Sequence, residues 1–187
     1  MPAACEGVAC EVIVVSDFAP DKSAVYDQWL QRERRGTVDA CNAACAHAYG
    51  EWIFLTNDES IIQPGAIKAL LDVAWMTPYC LWAPQHVPNY DFHYFGKKFV
   101  PFPFVHRDLL DAVGGLFDPA YKCFYADPDL SLRVYEKGYT VQTIERAIVE
   151  HNNGQDEAKL QNMSQYMARD QATFRTRWGH LGEFCDC

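Results

Sequence analysis

Several features are missing from this sequence, and each absence removes a class of function. No apolar stretch approaches the ~20 residues that would span a bilayer. Nothing at the N-terminus looks like a signal peptide, so a cytoplasmic protein is expected. Basic residues are scarce: 16 Lys and Arg face 25 Asp and Glu, for a net charge of -9. The one basic run is Arg32-Glu33-Arg34-Arg35, which argues against a nucleic-acid surface. Glycine-rich phosphate loops are absent. The eight cysteines include no CxxC pair with zinc-finger spacing. Cys41 and Cys45 lie one helical turn apart, Cys80 and Cys123 sit in apolar surroundings, and Cys185 and Cys187 fall in the tail. Free thiols in a reducing compartment are the expectation, ahead of a disulfide or metal role.

What remains is an ordinary globular composition. The 187 residues are 49% hydrophobic and 22% charged, enough for one core and not comfortably two. A single domain over 1–187 is expected, with 155–187 as its C-terminal helical segment. Residues 11–16 are β-branched and read as a buried strand. Residues 23–34 read as an amphipathic helix with Val25, Trp29 and Leu30 inward, and 37–49 as a second helix stopped by Gly50. Leu81 opens a short strand. Residues 87–103, rich in aromatics (Tyr90, Phe92, Tyr94, Phe95) and proline, read as a loop that serves either as a binding surface or as a lid on the core. Residues 104–113 run from strand into helix. A helix over 127–137 leaves Arg133 and Glu136 outward, 139–149 is a strand, and 157–178 is a long helix. Strands alternating with helices imply an α/β sandwich with a mainly parallel central sheet.

The chain is organised around residues 51–65. Trp52-Ile53-Phe54-Leu55 suits a strand buried on both faces. It ends in Thr56-Asn57-Asp58-Glu59, and Pro64 then opens a helical pattern. In open α/β sheets, ligands sit at the carboxyl ends of strands, where a carboxylate can hold a hard cation against a phosphate. A polar turn with a helix cap explains the same residues. Two further clusters share this ambiguity. In Asp127-Pro128-Asp129, capping accounts well for one aspartate and poorly for both. His151 closes a strand, where an isolated histidine is more often a satisfied polar residue than a ligand. Two carboxylates and a histidine from separate strand ends can still converge on one divalent ion and one base.

The order of these segments resembles a known family. It is carried by Glu11-Val-Ile-Val-Val-Ser-Asp17, Asn42, the 48–59 run with Gln63-Pro64-Gly65, and His106 to Asp118. It continues through Phe124-Tyr-Ala-Asp-Pro-Asp-Leu-Ser-Leu-Arg133 with Lys137-Gly138-Tyr139, and Val149-Glu150-His151. Together these are similar to family 2 glycosyltransferases of the GT-A fold. Phe174 to Gly179 is similar to the tail of that family.

The resemblance implies sugar transfer from a nucleotide-diphosphate donor (UDP-, GDP- or dTDP-sugar) to a saccharide or other hydroxyl acceptor, assisted by Mn2+ or Mg2+. It implies a GT-A-like αβα sandwich and the following roles. Asp127 is the general base of an inverting transfer. Asp17, Asn42, Asn57, Asp58 and Asp129 belong to the nucleotide-sugar site. Asp58 and His151 hold the metal. Two positions depart from the pattern: Thr56 stands where the metal motif begins with Asp, and Ala126 where a Glu precedes the base. Only Met1 to Cys10 precede the first recognisable strand, fewer than the roughly 20 residues of a βα unit. A domain shortened at its N-terminus, and self-association to cover its sheet edges, are therefore expected. The alternative is a non-catalytic GT-A-like module that binds a sugar or a protein through its aromatic loop.

Overall fold

The computed structural model describes residues 5, 7–89, 91–152, 154 and 157–182. Tyr90, Cys185 and Cys187 lie outside them. The chain opens with β1 (Ile13–Ser16) and β2 (Gln28–Gln31), a parallel pair forming its own two-stranded sheet. There follow α1 (Thr37–His47), β3 (Trp52–Phe54), β4 (Ser60–Ile62), α2 (Ala66–Ala74) and β5 (Cys80–Val87). A small hairpin comes next, β6 (His93–Tyr94) with β7 (Lys97–Lys98), and then β8 (Phe104–His106), α3 (Arg107–Val113) and α4 (Ala126–Glu136). The long strand β9 (Thr140–His151) and the long helix α5 (Glu157–Trp178) complete the fold.

The main sheet has five strands in the order β3-β8-β5-β9-β4. It is mixed rather than mainly parallel. Only β5 and β9 run parallel, and the β3–β8, β5–β8 and β4–β9 neighbours are antiparallel. The cause is local: residues 57–59 turn the chain back after β3, so β4 returns against the end of β9 with Ser60 opposite His151. β3 is correspondingly an edge strand, with only Ile53 buried and Trp52 and Phe54 half-buried.

Alternation along β5 explains the layers. Leu81 and Ala83 point to one face, where they pack with Leu109, Val113, Leu130 and Val134 of α3 and α4. Cys80 and Trp82 point to the other, against Ala66, Leu70 and Ala74 of α2. Helices therefore cover both faces, as the αβα expectation requires. A third cluster lies outside α4, where Phe174 and Trp178 of α5 meet Val38, Tyr121, Ala126 and Leu132.

Three expectations are corrected. The 23–34 segment contains strand β2, not a helix. Asp21 closes a turn onto the Ser23 N–H at 2.8 Å, Val12 N–H donates to Asp27 Oδ2 at 2.7 Å, and Trp29 pairs with Val14. Val25 is exposed. Arg133 is buried, because its carboxylate partner Asp129 is buried beside it. Cys5 and Cys10 form a disulfide, brought within a Cα separation of 6.5 Å by the turn at Gly7, where φ is 75°. Cys41, Cys45, Cys80 and Cys123 are free thiols. No described helix is long and apolar enough to cross a membrane.

Candidate active site

One polar cluster forms where β3 ends and β9 closes. The antiparallel register of β4 on β9 places the 57–59 turn against His151. Asn57 Nδ2 lies 3.3 Å from His151 Nε2, and Asn57 Oδ1 accepts from Ser60 Oγ at 2.6 Å. In the tautomer with Nε2 bare, the imidazole accepts from the Asn57 amide, and that same lone pair ligates metals. Glu59 Oε2 is 3.6 Å from His151 Nε2, whereas Asp58 is exposed on the turn. Thr56 is exposed as well. Behind His151, Phe102 lies between two imidazoles, its ring 5.1 Å from His151 and 5.1 Å from His86. Burial, with His151 nearby, lowers the His86 imidazole to about 4, so this ring is neutral near pH 7.

A second cluster surrounds Asp127. Helix α4 begins after Tyr125, whose φ of 62° is left-handed, and no side chain caps it. Asp127 therefore stands in the first helical turn without acting as the cap. Its carboxyl borders a cavity of about 160 Å³ lined by Tyr94, Phe99, Phe124, Tyr125, Pro128 and Met167. No described side chain hydrogen-bonds or ion-pairs with it. Burial pushes this carboxyl up to about 7, against the opposing pull of its own backbone N–H. The same burial, with Asp127 close by, pushes the Cys41 thiol up to about 12. Of the two readings of the aromatic loop, the lid describes Tyr94 and Phe95, which pack on Phe174 at 5.3 and 6.2 Å between ring centres. Phe92 remains exposed.

The other expected residues fall elsewhere. Asp129 is wholly buried and accepts from Arg133 Nε at 2.8 Å, Trp178 Nε1 at 2.9 Å and Tyr121 OH at 3.2 Å. Arg133 spends its remaining N–H groups on the carbonyls of Val113, Gly115 and Leu116. Asp129 thus sits in a structural network that fastens α4 to the turn after α3 and to α5. Asn42, on α1, exchanges two hydrogen bonds with the Phe117 backbone, at 2.8 and 3.1 Å. Both ends of its amide are engaged in holding that turn. Asp17 is exposed just past β1.

His151 and residues 57–59 are therefore brought together, and Asp127 occupies a neighbouring cavity. The two clusters are joined by the 99–102 segment: Phe99 lines the Asp127 cavity and Phe102 packs on His151. Three residues of extended chain span at most about 10 Å, which bounds the separation of the Phe99 and Phe102 backbones.

Among the described residues, no group of three His, Cys, Asp or Glu side chains is assembled as a metal site. The pair that is assembled nonetheless suits a divalent ion that draws its other ligands from phosphate and water. Two adjacent ligands on an octahedral ion with bonds of ~2.1 Å stand ~3 Å apart, close to the 3.6 Å between His151 Nε2 and Glu59 Oε2. Imidazole with carboxylate is a donor set that Mn2+ accepts. Glu59 is the residue that sequence reasoning passed over in favour of Asp58. Only the β4–β9 register decides which of the two adjacent carboxylates faces the imidazole.

No family model matches this sequence, and no curated protein matches it. Among solved structures, the chain is similar to a crystal structure of GalNAc-T7 with UDP, GalNAc and Mn2+. The TM-score is 0.60 at 10% sequence identity, over 91% of this chain and 44% of that one. The chain thus spans less than half the length of the protein it matches. Agreement over nearly the whole of this chain, at so low an identity, is agreement of fold: the molecule is a mixed α/β domain with the GT-A-like glycosyltransferase architecture.

Proposed function

We propose that this chain is a metal-assisted glycosyltransferase, of the family 2 type its sequence resembles, acting on a UDP-, GDP- or dTDP-sugar. The observation that carries the proposal is Asp127. It is a carboxylate with no side-chain partner on the wall of an aromatic cavity, held near the pH at which it exchanges a proton. Structural demands account for Asp129 and Asn42, whereas for Asp127 they offer only the favourable field at the start of α4. A half-buried carboxylate without a side-chain partner is unfavourable for the fold, and such groups gather at sites that use them.

In the proposed reaction, an acceptor hydroxyl enters the cavity and gives its proton to Asp127. Its oxygen bonds to the anomeric carbon of the donor as the bond from that carbon to the diphosphate oxygen breaks, and the electron pair leaves with the diphosphate. Among the described residues, Asp127 is the only carboxylate lining the cavity, which favours single displacement with inversion. The aromatic wall offers flat apolar faces to a saccharide acceptor. His151 and a carboxylate of the 58–59 turn would hold Mn2+ or Mg2+, Asp58 being supported by the resemblance and Glu59 by its approach to the imidazole. When bound, the ion offsets charge on the departing diphosphate. Asp17 and Asn57 flank the donor in this reading.

The test is titration calorimetry with each nucleotide-sugar in the presence of Mn2+, followed by product analysis. Heat of binding and donor turnover are expected, with Asp127→Asn losing turnover and keeping donor affinity. An absence of heat and hydrolysis with every donor would defeat the proposal. One observation favours the non-catalytic module instead: Thr56 and Asp58 both face solvent at the motif that should grip the donor. Under that reading, saccharide binding survives without nucleotide or metal, and Asp127→Asn leaves it unchanged.

A further inference from the structure

No described side chain aims the Asp127 carboxyl, so its placement has to come from the backbone around it. The residues before it are held from α5. Asp170, wholly buried, accepts the backbone N–H groups of Lys122 at 3.0 and 3.1 Å, Cys123 at 2.8 Å and Phe124 at 3.0 Å. Three consecutive amides converging on one carboxylate make a strong fastening. It lies immediately before Tyr125, whose left-handed backbone needs support. Gln171 donates to Tyr125 OH at 3.2 Å, and the Phe174 ring lies 5.2 Å from the Tyr125 ring. On the far side of Asp127, Trp178 holds Asp129. Positions 170, 174 and 178 share one helical face, so α5 grips the chain on both sides of Asp127. The apolar packing of that face needs no charge at position 170.

We infer that Asp170 is a positioning residue for Asp127, fixing the turn from which the carboxylate projects into the aromatic cavity. The inference rests on the proposed role of Asp127 as base.

The experiment compares the wild type with Asp170→Asn and Asp118→Asn. Asp170→Asn keeps the shape but loses the charge and sets an amide N–H2 among three N–H donors. Asp118→Asn removes the 2.7 Å carboxylate partner of Arg177, whose guanidinium also lies 3.2 Å from Asp129 Oδ1, and leaves the Asp170 bonds to the 122–124 amides in place. For Asp170→Asn, kcat is expected to fall about a hundredfold with donor KM within about twofold, while Asp118→Asn keeps kcat. Wild-type kcat in Asp170→Asn would overturn the inference. If Asp170→Asn does not fold, Asp170→Glu, which keeps the charge and displaces it by one methylene, is expected to show the same split of kcat from KM. Amide hydrogen exchange gives a readout independent of turnover. Protection lost at 129–131, where the first helical amides bond back to Tyr125 and the residues after it, as well as at 122–124 supports the inference, and unchanged protection at 129–131 overturns it. Absence of turnover in the wild type tells against the base assignment alone, leaving the exchange result to judge Asp170.

Discussion

Trp178 donates its indole N–H to Asp129 Oδ1 at 2.9 Å, joining the last turn of α5 to the first turn of α4. Asp129 is wholly buried and carries Arg133 on its other oxygen. Trp178→Phe keeps the ring in the cluster and removes one hydrogen bond to a charged acceptor, with an expected loss of ~1.5–3 kcal/mol. Arg133→Leu takes away the nearer and more buried of the two cations on Asp129, leaving Arg177 at 3.2 Å, and is expected to cost ~3–5 kcal/mol. Urea denaturation with an unchanged slope checks both. A loss in Arg133→Leu no larger than in Trp178→Phe would show that the ion pair is not the centre of the network.

Asp127 makes stability depend on pH in a direction opposite to that of most carboxylates. Its folded value of about 7 lies above the ordinary 3.8. Between those values the folded chain holds a proton that the unfolded chain has released, so the contribution is fully present below pH ~4 and is lost as pH rises through ~7. Asp127→Asn is therefore expected to be more stable than wild type by over ~1 kcal/mol at pH 8, with the advantage shrinking towards pH 4. Thermal denaturation across that range measures it. An advantage that grows on acidification would reverse the assignment. If Asp127 is the base, turnover rises with pH through the same region.

Asn42 separates a structural role from a donor-site role. Asn42→Ala removes both bonds to the Phe117 backbone, and the expected loss is ~1–3 kcal/mol. Donor affinity, measured by calorimetry on the folded fraction, is expected to stay within about twofold of wild type. Unchanged stability with weakened donor binding would restore Asn42 to the nucleotide-sugar site.

Neighbouring carboxylates can be told apart by metal titration. With Mn2+ and the nucleotide diphosphate, His151→Ala and Glu59→Gln are each expected to lose about tenfold or more in metal affinity, and Asp58→Asn clearly less. Paramagnetic broadening by Mn2+ provides the measurement. The larger loss in Asp58→Asn would return the metal to the carboxylate suggested by the resemblance.

The long helices and the last strand were legible because their patterns are strong. Residues 157–178 form α5 as expected, and Tyr139 to Val149 anticipate β9. Strand β2 was not legible. Val25, Trp29 and Leu30 have helical spacing, yet pairing with β1 and the Val12–Asp27 bond are tertiary facts that outweigh a four-residue periodicity. Strand direction was equally hidden, since a short apolar run reads alike in either sense. At the site, the clusters at 57–59, 127–129 and 151 were visible as polar punctuation at element ends. What composition could not separate was Asp127 from Asp129, or Asp58 from Glu59. In each pair the chemistry is nearly identical, and only the direction faced after folding distinguishes a held carboxylate from an available one.

The two aspartates that open α4 carry opposite structural obligations. Asp129 cannot change without orphaning Arg133, Trp178 and Tyr121 together. Asp127 carries no such obligation, and its loss relaxes the molecule. If Asp127 is the base, a chain that gave up the chemistry could lose it without cost to the fold.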